Sequence, residues 1–203
     1  MKARAKKLAL LASGGGRSLE NLAEVIAKGE LEAEIALVLS DRDDIGALER
    51  AKRLGLSALV ISWKECGGPE EFARRAFGEL ESRGVELAVL AGFLRLLLVP
   101  ERWRGRVINI HPALLPAFGG KGLYGERAHA AVLASGAQES GCTVHFVDNV
   151  YDHGPHILQR RVPVFPGDTV ESLAQRVFEQ EKIALPEAIR RVLAGEARFA
   201  NAR

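Results

Sequence analysis

Cysteine is scarce. Cys66 and Cys142 are the two in 203 residues, too few and too far apart for a disulfide framework or a four-ligand zinc site, so both are read as buried or idle thiols. An excess of either charge is also missing. With 28 Lys and Arg against 26 Asp and Glu, a net charge of +2, the chain carries no footprint for nucleic acid and no acidic tail. The basic start "MKARAKK" reads as a solvated lead-in to the first strand. No apolar stretch of the right length follows it, so no secretory signal and a cytoplasmic protein are expected. The longest uncharged apolar run, around "LAVLAGFL", stops at Arg95, well short of the roughly 18 residues of a membrane-spanning helix. Repeats, low-complexity tracts and linkers are lacking, and a hydrophobic content of 47% supports a sizeable core in one domain.

What is present is alternation. "KKLALLAS", "AEIALVLSD", "LSALVIS", "VELAVLAG" and "RVINI" read as strands, and "SLENLAEVIAKGE", "IGALERAKRLG" and residues 70–83 read as the helices between them. Near-continuous hydrophobic strands separated by amphipathic helices predict an α/β protein. Its sheet should be open, mostly parallel and twisted, with helices on both faces in a Rossmann-like arrangement. After residue 120 the pattern changes to a helix near 126–135, strands "GCTVHFVD" and "HILQRRVPV", and a helix from about 169 to 194. The turn through "DHGP" between those strands predicts antiparallel additions to one edge of the sheet.

Two stretches carry chemistry. In "LLASGGGRSLENL" a strand ends in three glycines and a helix begins near Ser18. Glycines let the backbone turn and approach a ligand, the first N–H groups of the helix favour an anion, and Arg17 adds a full positive charge. No Gly-Lys-Ser/Thr follows, which excludes the nucleotide triphosphate loop. Leu19 stands at the third glycine of the dinucleotide fingerprint, although Asp41 at the end of the second strand retains that reading. A loop this short and basic suits one phosphate; a tight turn without a ligand is the plainer alternative.

The second stretch is "VINIHPALLPAFGG". Asn109 and His111 flank Ile110 and project to one side of an extended chain, where Asp152 of "TVHFVDNVYDHGPHI" could reach a histidine. An amide donor, an imidazole and a carboxylate that orients it make an acyl-transfer set. No serine or cysteine stands beside them, so the substrate is expected to bring the nucleophile. His153 and His156 next to Asp152 have a metal-like spacing, but Gly154 and Pro155 break the helix it would need, so no metal is expected. His145 is equally consistent with a hydrogen-bonded core residue and a member of the site. His129 reads as part of a surface helix with no assigned role.

"NIHPALLP", "GCTVHFVDNVYDHGPHI" and "SGGGRSLENL" together resemble the phosphoribosylglycinamide formyltransferase family, the folate-dependent formyltransferases of purine synthesis, and the resemblance extends to "RVFEQEKIALPEAI". It implies a single formyltransferase domain over 1–203 that transfers a formyl group from the cosubstrate 10-formyltetrahydrofolate to the amine of glycinamide ribonucleotide, without metal. The roles it implies are catalysis by Asn109, protonated His111 and Asp152. It also implies ribonucleotide binding by Gly16, Arg17, Ser18 and Glu181, and folate binding by Leu94, Arg95, Leu96, Leu97 and Asn109. The implied partners are these small molecules, with neither nucleic acid nor membrane, in a monomer or homodimer. The chain departs from the family pattern at Ala113, Asn149 and Lys182, and near Pro69, where some members place an arginine. Methionyl-tRNA formyltransferases share the middle motif but add a carboxyl-terminal RNA-binding domain for which 203 residues leave no room. A nicotinamide-dependent oxidoreductase, resting on the glycine loop and Asp41, is the rival from another class.

Overall fold

The computed structural model describes residues 4–199. Its strands are β1 (Lys6–Ala12), β2 (Ala33–Ser40), β3 (Ala58–Val60), β4 (Leu87–Ala91), β5 (Val107–His111), β6 (Glu139–Phe146) and β7 (His156–Pro163). Its helices are α1 (Arg17–Ala27), α2 (Gly46–Arg53), α3 (Pro69–Ser82), α4 (Glu126–Ala134) and α5 (Val170–Leu193). The strands form one mixed sheet in the order β3-β2-β1-β4-β5-β6-β7. The chain divides between Ile108 and Asn109, inside β5, into two compact units. Of the basic lead-in, residues 1–3 lie outside the described residues, Arg4 and Ala5 are exposed, and Lys6 and Lys7 already belong to β1.

In the first unit β1 runs parallel to β2 and to β4, with Leu10 opposite Val38 on one side and Val89 on the other. Residues 8–12 of β1 and 87–91 of β4 are buried without a break. This is the pattern of strands covered on both faces rather than of half-exposed ones. The covering helices supply apolar stripes at helical spacing: Leu19 and Leu22 on α1, and Phe72, Ala76, Phe77 and Leu80 on α3. Pro69 opens α3, where its missing N–H costs nothing. β3 is shorter than the run "LSALVIS" because it is the edge strand, paired to β2 alone and half-exposed. Single 3₁₀ turns at Trp63–Glu65 and Glu101–Trp103 were not foreseen. The second places Trp103 in the core, 5.1 Å from Phe77.

In the second unit β7 runs antiparallel to β6, with Thr143 opposite Gln159 and an irregularity between Val144 and His145. α5 begins with a capping box in which Thr169 and Ser172 satisfy each other's backbone N–H. It buries Leu173, Val177, Leu185 and Ile189. A polar staple holds the chain as it leaves β5: Thr143 Oγ1 accepts from the Leu115 N–H at 3.0 Å and donates to the Ala113 carbonyl at 2.7 Å. Gln159 Nε2 donates to Thr143 Oγ1 at 2.9 Å and to the Leu115 carbonyl at 2.8 Å. Thr143, Leu115 and Ala113 are buried, so the Leu115 N–H and the Ala113 carbonyl have no water to turn to. Thr143→Val should therefore cost about 1–3 kcal/mol of stability by stranding buried polar groups, read as a lowered urea midpoint with an unchanged slope.

Candidate active site

The glycine loop closes β1 of the first unit. Gly16 sits at φ +83° immediately before α1, a left-handed conformation that glycine adopts without strain. A Cβ there would lie 2.7 Å from the Ala47 Cα. The start of α2 is thus pressed against the loop, the Ala47 N–H donating to the Gly14 carbonyl at 3.1 Å. Arg50 Nη1 donates to the Gly15 carbonyl at 2.6 Å. With its carbonyls held by α2, and with no side chain capping the first turn of α1, the loop offers helical N–H groups to an anion. Arg17 is exposed beside it and Ser18 half-buried. Glu20, also in the first turn, is bound by Arg50 and Arg53, and the Arg50 hydrogen bond foremost holds its carboxyl below the usual range.

The segment after β4 shares a root with this loop. The Ser13 N–H donates to the Gly92 carbonyl, and Ser13 Oγ accepts from the Leu94 N–H, both at 3.0 Å. Leu94, Arg95 and Leu96 are half-buried and Leu97 is buried, in a stretch without helix or strand. Arg95 Nε donates to Asp41 Oδ2 at 2.8 Å. Asp41 is fully buried under that pair, so it does not offer its carboxylate to a ribose as the oxidoreductase reading needs.

The second unit gathers Asn109, His111 and Asp152, and adds His145. The Asp152 carboxylate accepts from the Gly120 N–H at 2.9 Å and from Asn109 Nδ2 at 3.3 Å. It lies 3.5 Å from His111 Nδ1 and 3.6 Å from His145 Nε2. The other Asn109 N–H goes to His145 Nε2 at 3.1 Å. An amide nitrogen only donates, so His145 Nε2 is bare and its Nδ1–H donates to the Phe146 carbonyl at 2.7 Å. By the same logic His111 carries its proton on Nε2, 2.8 Å from the Phe118 carbonyl, and turns a bare Nδ1 toward Asp152. Phe118 and Asp152 both hold left-handed backbone, at φ 56° and 52°, a strain that concentrates where geometry is over-determined.

Burial pushes His111 below the ordinary imidazole range, and the Asp152 charge only partly opposes it. The resemblance implied a protonated His111. With its side chain 4% exposed, the ring resists taking up that proton in the protein without substrates. Burial would raise the Asp152 carboxyl, but attraction to the His145 and His111 rings as they take up a proton, together with the Gly120 N–H, outweighs it and holds it below the usual range.

Other sequence-predicted residues lie elsewhere. Glu181, on α5, is half-buried and close enough to Cys142 that its charge adds to burial in pushing that thiol up to about 12. Both cysteines are buried and free. His153 is exposed and paired with Asp148 at 2.7 Å, and His156 is exposed on β7. His129, expected on a surface helix, is instead 4% exposed on the inner side of α4. Among the described residues no three His, Cys, Asp or Glu side chains converge as a metal set, and no helix is long and apolar enough to cross a membrane.

Comparison with known proteins settles the family. The sequence profile of the formyl transferase family matches residues 6–189. The chain belongs to the formyl transferase family. It is 42% identical over 198 residues to the Gallus gallus trifunctional purine biosynthetic protein adenosine-3, covering 97% of this chain but 19% of that much longer protein. It is 40% identical over 181 residues to the chloroplastic phosphoribosylglycinamide formyltransferase of Arabidopsis thaliana, covering 88% of this chain and 62% of that one. Among solved structures it is similar to glycinamide ribonucleotide transformylase 1 from Symbiobacterium toebii, with a TM-score of 0.90 and 38% identity over 98% of this chain and 93% of that one.

Sequence reasoning left His145 open in this formyl transferase. The signal was a titratable residue near the carboxyl end of an apolar strand, which is buried from Ser140 to Phe146, but only its bond to Asn109 separates a site member from a satisfied core histidine. The charges predict a pH response whose sign is fixed. In the protein without substrates, the His111 ring should titrate below the ordinary 6.5. Asp152→Asn removes the negative charge that favours imidazolium while burial stays, so the value should fall further. Imidazole NMR titration reads both values, and a rise in Asp152→Asn would contradict the arrangement.

Proposed function

We propose that this formyl transferase moves the formyl group of 10-formyltetrahydrofolate onto the primary amine of glycinamide ribonucleotide, as a cytoplasmic enzyme of purine synthesis. In this reading residues 1–203 act as a single domain, a monomer or homodimer without metal. The observation that carries it is the convergence of Asn109, His111 and His145 on the half-buried Asp152 carboxylate, with no serine or cysteine nucleophile among them. Such a set can polarise a carbonyl and move protons while the attacking nitrogen comes from the substrate. The purine-biosynthetic and glycinamide ribonucleotide names of the relatives support the choice of substrates.

In the reaction, the amine nitrogen bonds to the formyl carbon and the carbonyl electron pair moves onto oxygen. Asn109 donates to that oxygen, and His111, once protonated, supports its charge. The attacking nitrogen loses one proton, the folate nitrogen gains one as its bond to carbon breaks, and Asp152 with His111 carries it. In this structure the Asn109 N–H groups are shared between Asp152 and His145, and the His111 Nε2–H is held by the Phe118 carbonyl. Engagement of the formyl oxygen therefore requires an exchange of hydrogen-bond partners rather than the filling of idle donors. The longer contact, Asn109 to Asp152 at 3.3 Å, is the weaker bond and the easier one to exchange. Gly16, Arg17 and Ser18 hold the phosphate, Glu181 the ribose hydroxyls, and Leu94, Arg95, Leu96 and Leu97 with Asn109 receive the folate.

The decisive assay mixes the protein with glycinamide ribonucleotide and a 10-formylfolate and follows deformylation by absorbance; no turnover in folded protein would refute the proposal. The formyl oxygen gains charge only on the way to the tetrahedral intermediate, so Asn109→Ala should lower kcat by roughly 10²- to 10³-fold. Arg17 meets the phosphate equally in ground and transition states. Arg17→Ala should therefore raise the KM for the ribonucleotide more than it lowers kcat, and an unchanged KM would remove Arg17 from the site.

A further inference from the structure

The proposed chemistry leaves Asp41 unused, yet its side chain is completely buried just beyond β2. A buried carboxylate is costly unless paired and hydrogen-bonded. Its Oδ2 takes the Arg95 Nε–H at 2.8 Å and lies 3.5 Å from Arg42, whereas Oδ1 has no hydrogen-bond partner among the described residues. The Arg95 guanidinium also lies over the Trp63 ring, 5.2 Å from its centroid, and the Trp63 N–H donates to the Asp41 carbonyl at 2.9 Å. Trp63 continues into Phe72 and Phe72 into Phe93, at 5.3 and 5.7 Å between rings. Phe93 and Arg95 flank Leu94, whose N–H is held by Ser13. The stretch 93–97, irregular in backbone, is thus tied down at three successive residues.

We infer that Asp41 and Trp63 are positioning residues of the folate segment. They commit the Arg95 guanidinium to an internal role, so that residues 94–97 present backbone groups and the half-exposed Leu94 and Leu96 to the pterin. Arg95 then does not read the acidic glutamate tail of the folate. This rests on the proposed pterin role of residues 94–97.

The test measures binding of 10-formyldihydrofolate, with one glutamate and with several, by calorimetry, alongside steady-state constants for both substrates. Asp41→Asn should raise the Kd and the folate KM by about tenfold, equally for short and long tails. The ribonucleotide KM, kcat and melting temperature should stay near wild type. Trp63→Phe, which keeps an aromatic ring, should retain most of the affinity and Trp63→Ala should lose it. Asp41→Asn added to Arg95→Ala should cost nothing beyond Arg95→Ala alone, because both remove one contact. A selective loss of long-tailed folate in Arg95→Ala would make Arg95 a reader of the tail and overturn the inference. Unchanged folate binding in Asp41→Asn, with wild type binding normally, would overturn the inference alone. A wild-type chain that binds no folate would overturn it together with the pterin role of 94–97.

Discussion

The Asp152 carboxylate is a charge taken almost out of water, its side chain 12% exposed, and everything around it answers the cost of that placement. The Gly120 N–H and the Asn109 amide are neutral donors, so they can hold the carboxylate ionised without a cationic histidine. In doing so they fix the chain beyond the Pro112–Pro116 loop and the Asn109 side chain in the middle of β5. Asn109 then has one N–H left, which settles the tautomer of His145. His111 is left facing the charge through a bare Nδ1, neutral yet beside the group that would stabilise its proton. Without the carboxylate these side chains would share a neighbourhood and no division of roles. The turn that delivers Asp152 is itself constrained: a Cβ on Gly154 would lie 1.9 Å from the Phe146 carbonyl, so glycine lets the "DHGP" turn fold against β6.

In the first unit the organising contact is Ser13, placed between the last buried residue of β1 and the first glycine of the loop. Through its N–H and hydroxyl it joins that loop to the segment after β4. The two stretches assigned to different substrates therefore hang from the same strand end, as expected where loops gather at the carboxyl edge of parallel strands. The bond from Arg95 to the buried Asp41 carboxylate ties the second stretch to the end of β2, and α2 holds the first through its contacts with Gly14, Gly15 and Gly16.

The sequence by itself determined the order and kind of the elements. A strand covered on both faces must be apolar throughout and a helix covering it apolar on one stripe, and these periods are written locally in runs such as "LALLA" and "EEFARRAF". It also determined the candidates for chemistry, because amide, imidazole and carboxylate differ in what they can donate, accept and titrate wherever they stand. Tertiary structure alone decided which candidates meet and in what state. His145 and His129 are both histidines within regular elements, and no local pattern tells that one bonds Asn109 while the other is buried in α4. The protonation of His111 follows from the balance of burial against one carboxylate 3.5 Å away, a distance set by residues 41 positions apart in the chain. Asp41 was legible only as an acidic residue after a strand. Its pairing with Arg95 turns it from a candidate ligand into a support, because a charge's role is fixed by the partner that the fold brings to it.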